Sequence, residues 1–303
     1  MTGTPHPDFV IAGKIAARVM NDIVHHIKAG EKVLRICTLA EKKILEYGGK
    51  GCRPAFPCNI SINQEAAHYT SPYGDTKIFP EKGLVKIDLG VSVNGYLSDT
   101  ALTVDLDGSY EKFKLAAEDA LKEAISMVRP GVRLGDIGSV IEKRIKSYGL
   151  KPVHQLSGHQ LRRGILHAGK NVPNVSTRSS EKMMLGECYA IEPFSTDGNG
   201  TIRNDRFAYI FSNNLSSKKK LDAISTRVRN IARRKFGSLP WASRWLFGMV
   251  ENIDLGSVLR TLVRSGVIHS YPVLLEGKQG MVGQAEHSVF VGSDGAIVTT
   301  RRN

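Results

Sequence analysis

Two aspartates set into an otherwise apolar hairpin constrain this chain more than any other feature. Residues 85–100 read V-K-I-D-L-G-V-S-V-N-G-Y-L-S-D-T. The stretches 85–93 and 96–104 have strand character, and Asn94-Gly95 between them is a strong signal for a two-residue type I′ turn. With that loop Val93 faces Tyr96, and counting back puts Gly90 opposite Asp99. Asp88 and Asp99 then share a face as diagonal neighbours, with alpha carbons roughly 7–8 Å apart. Side chains of that length can converge on ions about 3.5–4 Å apart. Asp is depleted in strands, and two like charges this close repel unless something neutralises them. An exposed polar face could also hold them, but Ile87, Leu89, Val91 and Leu97 point to a hairpin buried on both sides.

Farther along, L-S-G-H ending at His159, A-I-E-P-F containing Glu192, and Q-A-E-H-S containing Glu286 supply three more residues of the same kind. Four carboxylates and one imidazole are the donor set expected for two adjacent divalent ions, of the hard to borderline kind such as manganese, iron, cobalt or zinc. A water shared by two such ions has its pKa lowered towards about 7 and becomes a nucleophile at neutral pH. Proton shuttles and further donors are needed beside it. His68, in N-Q-E-A-A-H-Y-T, and His167, eight residues after His159, fit that need because they accompany the carboxylates.

The 303 residues suffice for a substantial core in one large domain or two. No run approaches the 18 or so apolar residues of a membrane span, and the amino terminus lacks a secretory pattern. Cys37, Cys52, Cys58 and Cys188 show no C-x-x-C pairing and suit a reduced, cytoplasmic protein. Ile11, Ile15, Val19, Ile23 and Ile27 predict a helix over 9–28 closed near Gly30, and 31–47 repeats the pattern up to Gly48-Gly49. Residues 53–73 read as loop and strand. Further helices are expected over 110–129, closed by Pro130-Gly131, and over 136–148, capped by Asp136. Residues 184–194 and 289–299 read as strands. Two helices followed by ligand-bearing strands thus occur twice, which hints at an internal duplication.

The net charge of +13 invites a polyanionic partner. Most of the excess lies in 216–266, where eleven basic and three acidic residues leave +8. Lys218, Lys219, Lys220, Arg233 and Arg234 belong to this run, which also shows helical spacing over 221–236 and 256–265. It reads as a small helical subdomain, residues 213–267, inserted into a catalytic domain formed by 1–212 and 268–303. Such a charge run is either a solvated face or a nucleic-acid contact.

N-Q-E-A-A-H-Y-T, K-I-D-L-G…Y-L-S-D-T-A, L-S-G-H…L-H-A-G, A-I-E-P-F-S-T and Q-A-E-H-S, in this order, closely resemble the type II methionine aminopeptidases, over essentially the whole chain. The insertion between Glu192 and Glu286 marks type II, and the lack of a long charged amino-terminal extension looks archaeal. Ala285 departs from the phenylalanine common in the family, which bears on packing near Glu286 and not on ligation. The resemblance implies a mixed α/β pita-bread fold with pseudo-twofold symmetry and an inserted helical subdomain. It also implies that Asp88 holds one metal, His159 and Glu192 the other, and that Asp99 and Glu286 bridge both. Glu192 would pass a proton to the departing amine, His68 would contact the scissile amide nitrogen, and His167 the carbonyl oxygen. Phe56, Leu166, Phe194, Tyr271 and Leu274 would form the methionine pocket, although on sequence alone all five are simply core. The implied protein is a monomeric cytoplasmic enzyme acting on the amino-terminal peptide of nascent proteins, and the charge of the insertion suits a contact with ribosomal RNA. A prolidase or aminopeptidase P would carry a sizeable domain before its catalytic half. A non-catalytic, ribosome-binding relative would have lost ligands, whereas all five are present here.

Overall fold

Helical periodicity at the start of the chain becomes two packed helices. In the computed structural model, which describes residues 3–250 and 253–302, these are α1 (Pro7–Val24) and α2 (Val33–Gly48). Pro7 in the first turn and His6 Nδ1, which accepts the Asp8 N–H, start α1. Gly49, with φ of 60°, ends α2. Strands β1 (Cys52–Ile62), β2 (Glu65–Ala67), β3 (Leu84–Val93) and β4 (Tyr96–Asp105) follow. The pattern then repeats with α3 (Glu111–Ser126), α4 (Leu134–Ser147), β5 (Lys151–Pro152), β6 (Ser157–Leu161), β7 (Asn171–Pro173), β8 (Cys188–Ile191) and β9 (Phe194–Thr196). Next come β10 (Ile202–Asn213), α5 (Ala223–Phe236), β11 (Trp241–Ala242), a 3-10 turn at Ser243–Leu246, and α6 (Leu255–Arg264). The chain closes with β12 (Ile268–Glu276), β13 (Val282–Gln284), β14 (His287–Val291) and β15 (Ala296–Val298).

Each helix pair covers one sheet. Ile15, Val19 and Ile23 of α1, with Ile36, Ala40 and Ile44 of α2, share a buried cluster with Ile60, Ile87, Leu89 and Val91 of the sheet ordered β1-β3-β4. Ala116, Ala120 and Ala124 of α3, with Ile137, Ile141 and Ile145 of α4, share a second with Tyr189, Ile191, Val289 and Val291 of the sheet ordered β15-β14-β8-β6-β7. A third sheet, β11-β10-β12-β2, has β10 and β12 paired from Ile202↔Glu276 to Asn213↔Ile268. The basic run therefore leaves and re-enters the fold at one pair of strand ends. It buries Val228, Ala232, Trp241, Leu246, Leu259 and Leu262 in a cluster shared with Phe211 and Ile268 of the flanking strands.

Several expected boundaries move. The helices starting at residues 9 and 110 stop three or four residues early, at Val24 and Ser126. Arg133, not Asp136, sits at the amino-terminal cap of α4, and the Leu134 N–H donates to Glu181 O (2.9 Å). Asp136 instead lies in the first turn, where its charge favours the helix dipole. The strand expected over 184–194 breaks around Glu192-Pro193, because Pro193 has no N–H for a ladder. The one expected over 289–299 is a hairpin, since Gly292-Ser293-Asp294-Gly295 makes the turn, with the Gly292 N–H on Gly295 O (2.9 Å).

Gly90 sits where three strands crowd. It pairs with Phe56 on one side and Asp99 on the other. A Cβ added there would lie 2.3 Å from Phe56 Cε1 and 2.8 Å from the Ser98 carbonyl oxygen. Gly90→Ala is expected to destabilise the fold by about 1–3 kcal/mol through overpacking, read from urea unfolding midpoints. A variant as stable as wild type would contradict this packing.

Candidate metal centre

The hairpin register is the one the sequence requires. Asn94 and Gly95 have φ of 49° and 88°, as a type I′ turn demands, and Gly90 pairs with Asp99. Asp88 and Asp99 are diagonal neighbours on one face. His159 lies on β6 opposite Ala190 of β8, Glu192 follows β8, and Glu286 lies between β13 and β14. Asp99, His159 and Glu286 are 4%, 5% and 1% exposed.

What brings the two halves together is a seam between β4 and residues 284–288. The Asp99 N–H donates to Ser288 Oγ (2.7 Å), which donates in turn to the Asp99 carbonyl (2.8 Å). Thr100 Oγ1 donates to Glu286 O (2.9 Å), and the Glu286 N–H donates to Ala101 O (3.0 Å). Thr103 Oγ1 donates to Gln284 O (2.7 Å) and accepts the Gln284 N–H (2.8 Å). Arg302 adds a bond from Nη1 to Thr100 Oγ1 (2.8 Å). Asp99 and Glu286 are thereby fixed at the join of the halves.

His159 Nε2 lies 3.4 Å from Asp99 Oδ2 and 3.8 Å from Glu192 Oε1. One donor atom each from Asp99, His159 and Glu286 falls within 4.8 Å of the others. Burial pulls the His159 imidazole down to about 4, with the carbonyls of Leu166 and Gln160 opposing it, so the ring is neutral and its contact with Asp99 is not an ion pair. Burial pushes the carboxyls of Asp88, Asp99, Glu192 and Glu286 upward. The charge of Asp99 adds to this at Asp88, Glu192 and Glu286, while Gln284 and Asn59 oppose it at Asp88. Among the described residues Asp88 Oδ1, Asp99 Oδ1 and Glu286 Oε2 are buried without a hydrogen-bond partner. Unpaired buried carboxylate oxygens are costly. Divalent cations remove that cost, so the donor set fits them both chemically and electrostatically.

A cavity of about 250 Å³ opens over these residues and is lined by all five, together with His68, His167, Phe56, Leu166, Phe194 and Tyr271. His68 has a left-handed backbone, φ 67°, and its Nδ1 lies 3.2 Å from Pro272 O. A carbonyl only accepts, so the proton sits on Nδ1 and Nε2 carries the lone pair. The His167 ring lies 4.2 Å from that of His159. Burial holds both His68 and His167 at about 4, hence neutral. Leu274 does not line the cavity. It packs against Ala67 and Phe194, which do line it. Sequence reasoning missed Asn59, Gln155, Ser157, Asn171, Ile210 and Pro240 on the wall. Ser157 was within reach, two residues before His159 on one strand. Asn59 and Asn171 come from pairing with Asp88 and His159. Ala285, 1% exposed, is absorbed into the core beneath α3 and α4.

A carboxyl raised by folding keeps its proton longer in the folded state. Its contribution to stability is therefore full below the ordinary carboxylate range and lost as pH rises through the folded value. Cations relieve that loss. The gap in melting temperature between manganese-loaded and chelator-stripped protein should therefore widen from about pH 7 to about pH 8.5, above the range where the histidines titrate. A constant or shrinking gap would speak against cations at these carboxylates.

Comparison with known proteins agrees with this geometry. The profile of metallopeptidase family M24 matches residues 9–214, a run that includes Asp88, Asp99, His159 and Glu192. The chain is 41% identical over 293 residues to a methionine aminopeptidase of Saccharolobus solfataricus, covering 96% of each. It is 40% identical over 291 residues to one of Methanocaldococcus jannaschii, again covering 96% of each. Among solved structures it superposes on a thermophilic Arx1 with TM-score 0.83 and 18% identity, over 96% of this chain and 89% of that one. It superposes on the methionine aminopeptidase of Thermotoga maritima with TM-score 0.71 and 18% identity, over the full length of both. The prolidase of Pyrococcus furiosus gives TM-score 0.62 at 16% identity, over 98% of this chain and only 63% of that one. These structures share the pita-bread fold, and the near-full-length relatives at about 40% identity favour neither the prolidase nor the non-catalytic reading. On the metallopeptidase profile and these relatives together, the chain belongs to metallopeptidase family M24, among its methionine aminopeptidases.

Proposed function

We propose that this chain removes the amino-terminal methionine of nascent proteins at a centre of two divalent ions, manganese, iron, cobalt or zinc. The observation that carries the reading is the convergence of buried, unpaired carboxylate oxygens and a neutral imidazole at the join of two half-structures. Asp88, from the first half, would help hold one ion, and His159 and Glu192, from the second, the other. Asp99 and Glu286, fixed at the seam between the halves, would serve both. Bound there, such ions supply an acidified water at neutral pH and polarise the scissile carbonyl. Glu192, which lines the cavity, is placed to take a proton and pass it to the departing amine. His68 Nε2, the lone-pair nitrogen, accepts the N–H of the scissile amide, and neutral His167 donates to the carbonyl oxygen. Phe56, Leu166, Phe194 and Tyr271 offer the apolar, aromatic wall that suits a polarisable thioether. Leu274 supports that wall from behind.

Residues 213–267 form an inserted subdomain that contacts ribosomal RNA, in a monomeric enzyme of the cytoplasm. Lys218, Lys219, Lys220, Arg227 and Arg234 face solvent. Arg233 is otherwise engaged, its Nη2 donating to Asn214 O (2.7 Å) and Ser217 O (2.9 Å). Among the described residues no helix is long and apolar enough to cross a membrane.

Methionine should be released from a Met-Ala-Ser peptide, should stop on exhaustive chelation and should return with manganese, iron or cobalt. Preferential cleavage of an Xaa-Pro peptide would overturn the assignment. Asp99→Asn should lose most activity while folding normally. His68→Ala and His167→Ala should each lower kcat by about 10²-fold or more with metal affinity little changed. A parallel loss of metal would show that a ligand had been assigned to the wrong role. Reversing Lys218, Lys219, Lys220 and Arg234 to Glu should weaken a steeply salt-dependent co-sedimentation with ribosomes while sparing hydrolysis of free peptide. Equal co-sedimentation at low salt would leave the basic run as a solvated face.

A further inference from the structure

His68 is held in a conformation that needs outside support. A residue with a Cβ persists at positive φ only where its surroundings over-determine it, and the His68 ring makes one bond, to Pro272 O. The residues after it are fixed from elsewhere. Tyr69 O accepts the Ile60 N–H (2.8 Å). Thr70 Oγ1 donates to Cys58 O (2.7 Å) and accepts from Arg244 Nη1 (2.7 Å), and the same Nη1 donates to Ser71 O (2.8 Å). Arg244 belongs to the 3-10 turn of the insertion and does not line the cavity.

Arg244 is itself locked. Its Nη2 donates to Glu41 Oε1 of α2. Trp245 Nε1 donates to Glu41 Oε2 (2.8 Å), and the Cys58 N–H donates to Glu41 Oε1 (3.1 Å). The Arg244 and Glu41 side chains are only 7% and 12% exposed. A buried ion pair contributes little net stability over an apolar substitute, whereas removing one partner is costly. Its particular property is geometry: one nitrogen of the fork serves two acceptors on the His68 segment while the other serves the carboxylate, which an ammonium cannot reproduce.

We propose that Arg244 is a positioning residue for the cleavage reaction: through Thr70 and Ser71 it fixes the backbone that presents His68 to the scissile amide. The insertion supplies none of the five metal ligands, yet it supplies this brace. The inference rests on the role given above to His68.

The test is a double-mutant cycle in the manganese-loaded full chain, on the Met-Ala-Ser peptide, with manganese affinity measured by calorimetry. Arg244→Met should lower kcat by about 10- to 100-fold, the scale of an ångström-sized misplacement, with KM changed by less than about threefold. In a His68→Ala background the same substitution should change kcat by less than about twofold, because the group it positions is gone. Manganese affinity should be unchanged in both. Arg244→Lys, which keeps the charge and loses the fork, should recover only part of kcat. Equal fold-losses in the two backgrounds, or a parallel fall in manganese affinity, would overturn the inference. If Arg244→Met does not fold, the cycle is run with Glu41→Gln/Arg244→Met, which leaves no unpaired buried charge. Wild-type kcat in His68→Ala alone would instead sink the role of His68, a failure distinct from that of the brace.

Discussion

Four carboxyl groups are pressed together where β4 runs beside residues 284–288, and the hydroxyl-mediated bonds of that seam hold them against their own repulsion. Ser288, Thr100 and Thr103 each reach across to backbone of the other segment. Each such bond is worth about 0.5–1.5 kcal/mol net. The opposing like-charge interaction is strengthened by the burial that excludes water. The same burial raises the carboxyls and keeps His159 neutral, which leaves an imidazole lone pair among oxygens that are unpaired. Fold and cation affinity are therefore one problem here: whatever relieves the repulsion stabilises the join of the two halves.

The second constraint is the sheet β11-β10-β12-β2, which serves as a wall with two working faces. Ile210 and Tyr271 point into the cavity, while their neighbours Tyr209, Phe211 and Ser270 face a separate groove bordered by α6. Strand alternation alone imposes this division. Most of the insertion consequently packs on the back of the wall that its own flanking strands, β10 and β12, present to the substrate, while its Pro240 reaches the cavity side. Tyr73 stacked on Phe247, with ring centroids 3.4 Å apart, adds a second contact between the insertion and the loop that follows His68.

The chemistry-bearing residues were legible because each lies in a short stretch whose type conflicts with its surroundings. Asp88 and Asp99 are acids in an apolar hairpin with a fixed two-residue turn, so counting gave their register. What misled was equally local. Asp136 has the right chemistry for a cap, but the N–H that opens the helix is already met by Glu181 O. Arg233 and Arg244 looked like members of a solvated charge run. Their guanidinium groups instead close carbonyls and a buried carboxylate contributed by other parts of the chain.

By itself the sequence determined the paired helices, the Asp hairpin and the identity of the donor set, because these follow from periodicity, turn chemistry and residue type over a few neighbours. Only the tertiary structure decided which donors share the seam and that Asn59 and Asn171 join the wall by cross-strand pairing. It alone showed that a guanidinium from the insertion reaches the segment of His68, some 174 positions earlier in the chain. Hydrogen bonds and burial between segments so far apart depend on how complete elements pack, and no local spacing rule encodes that.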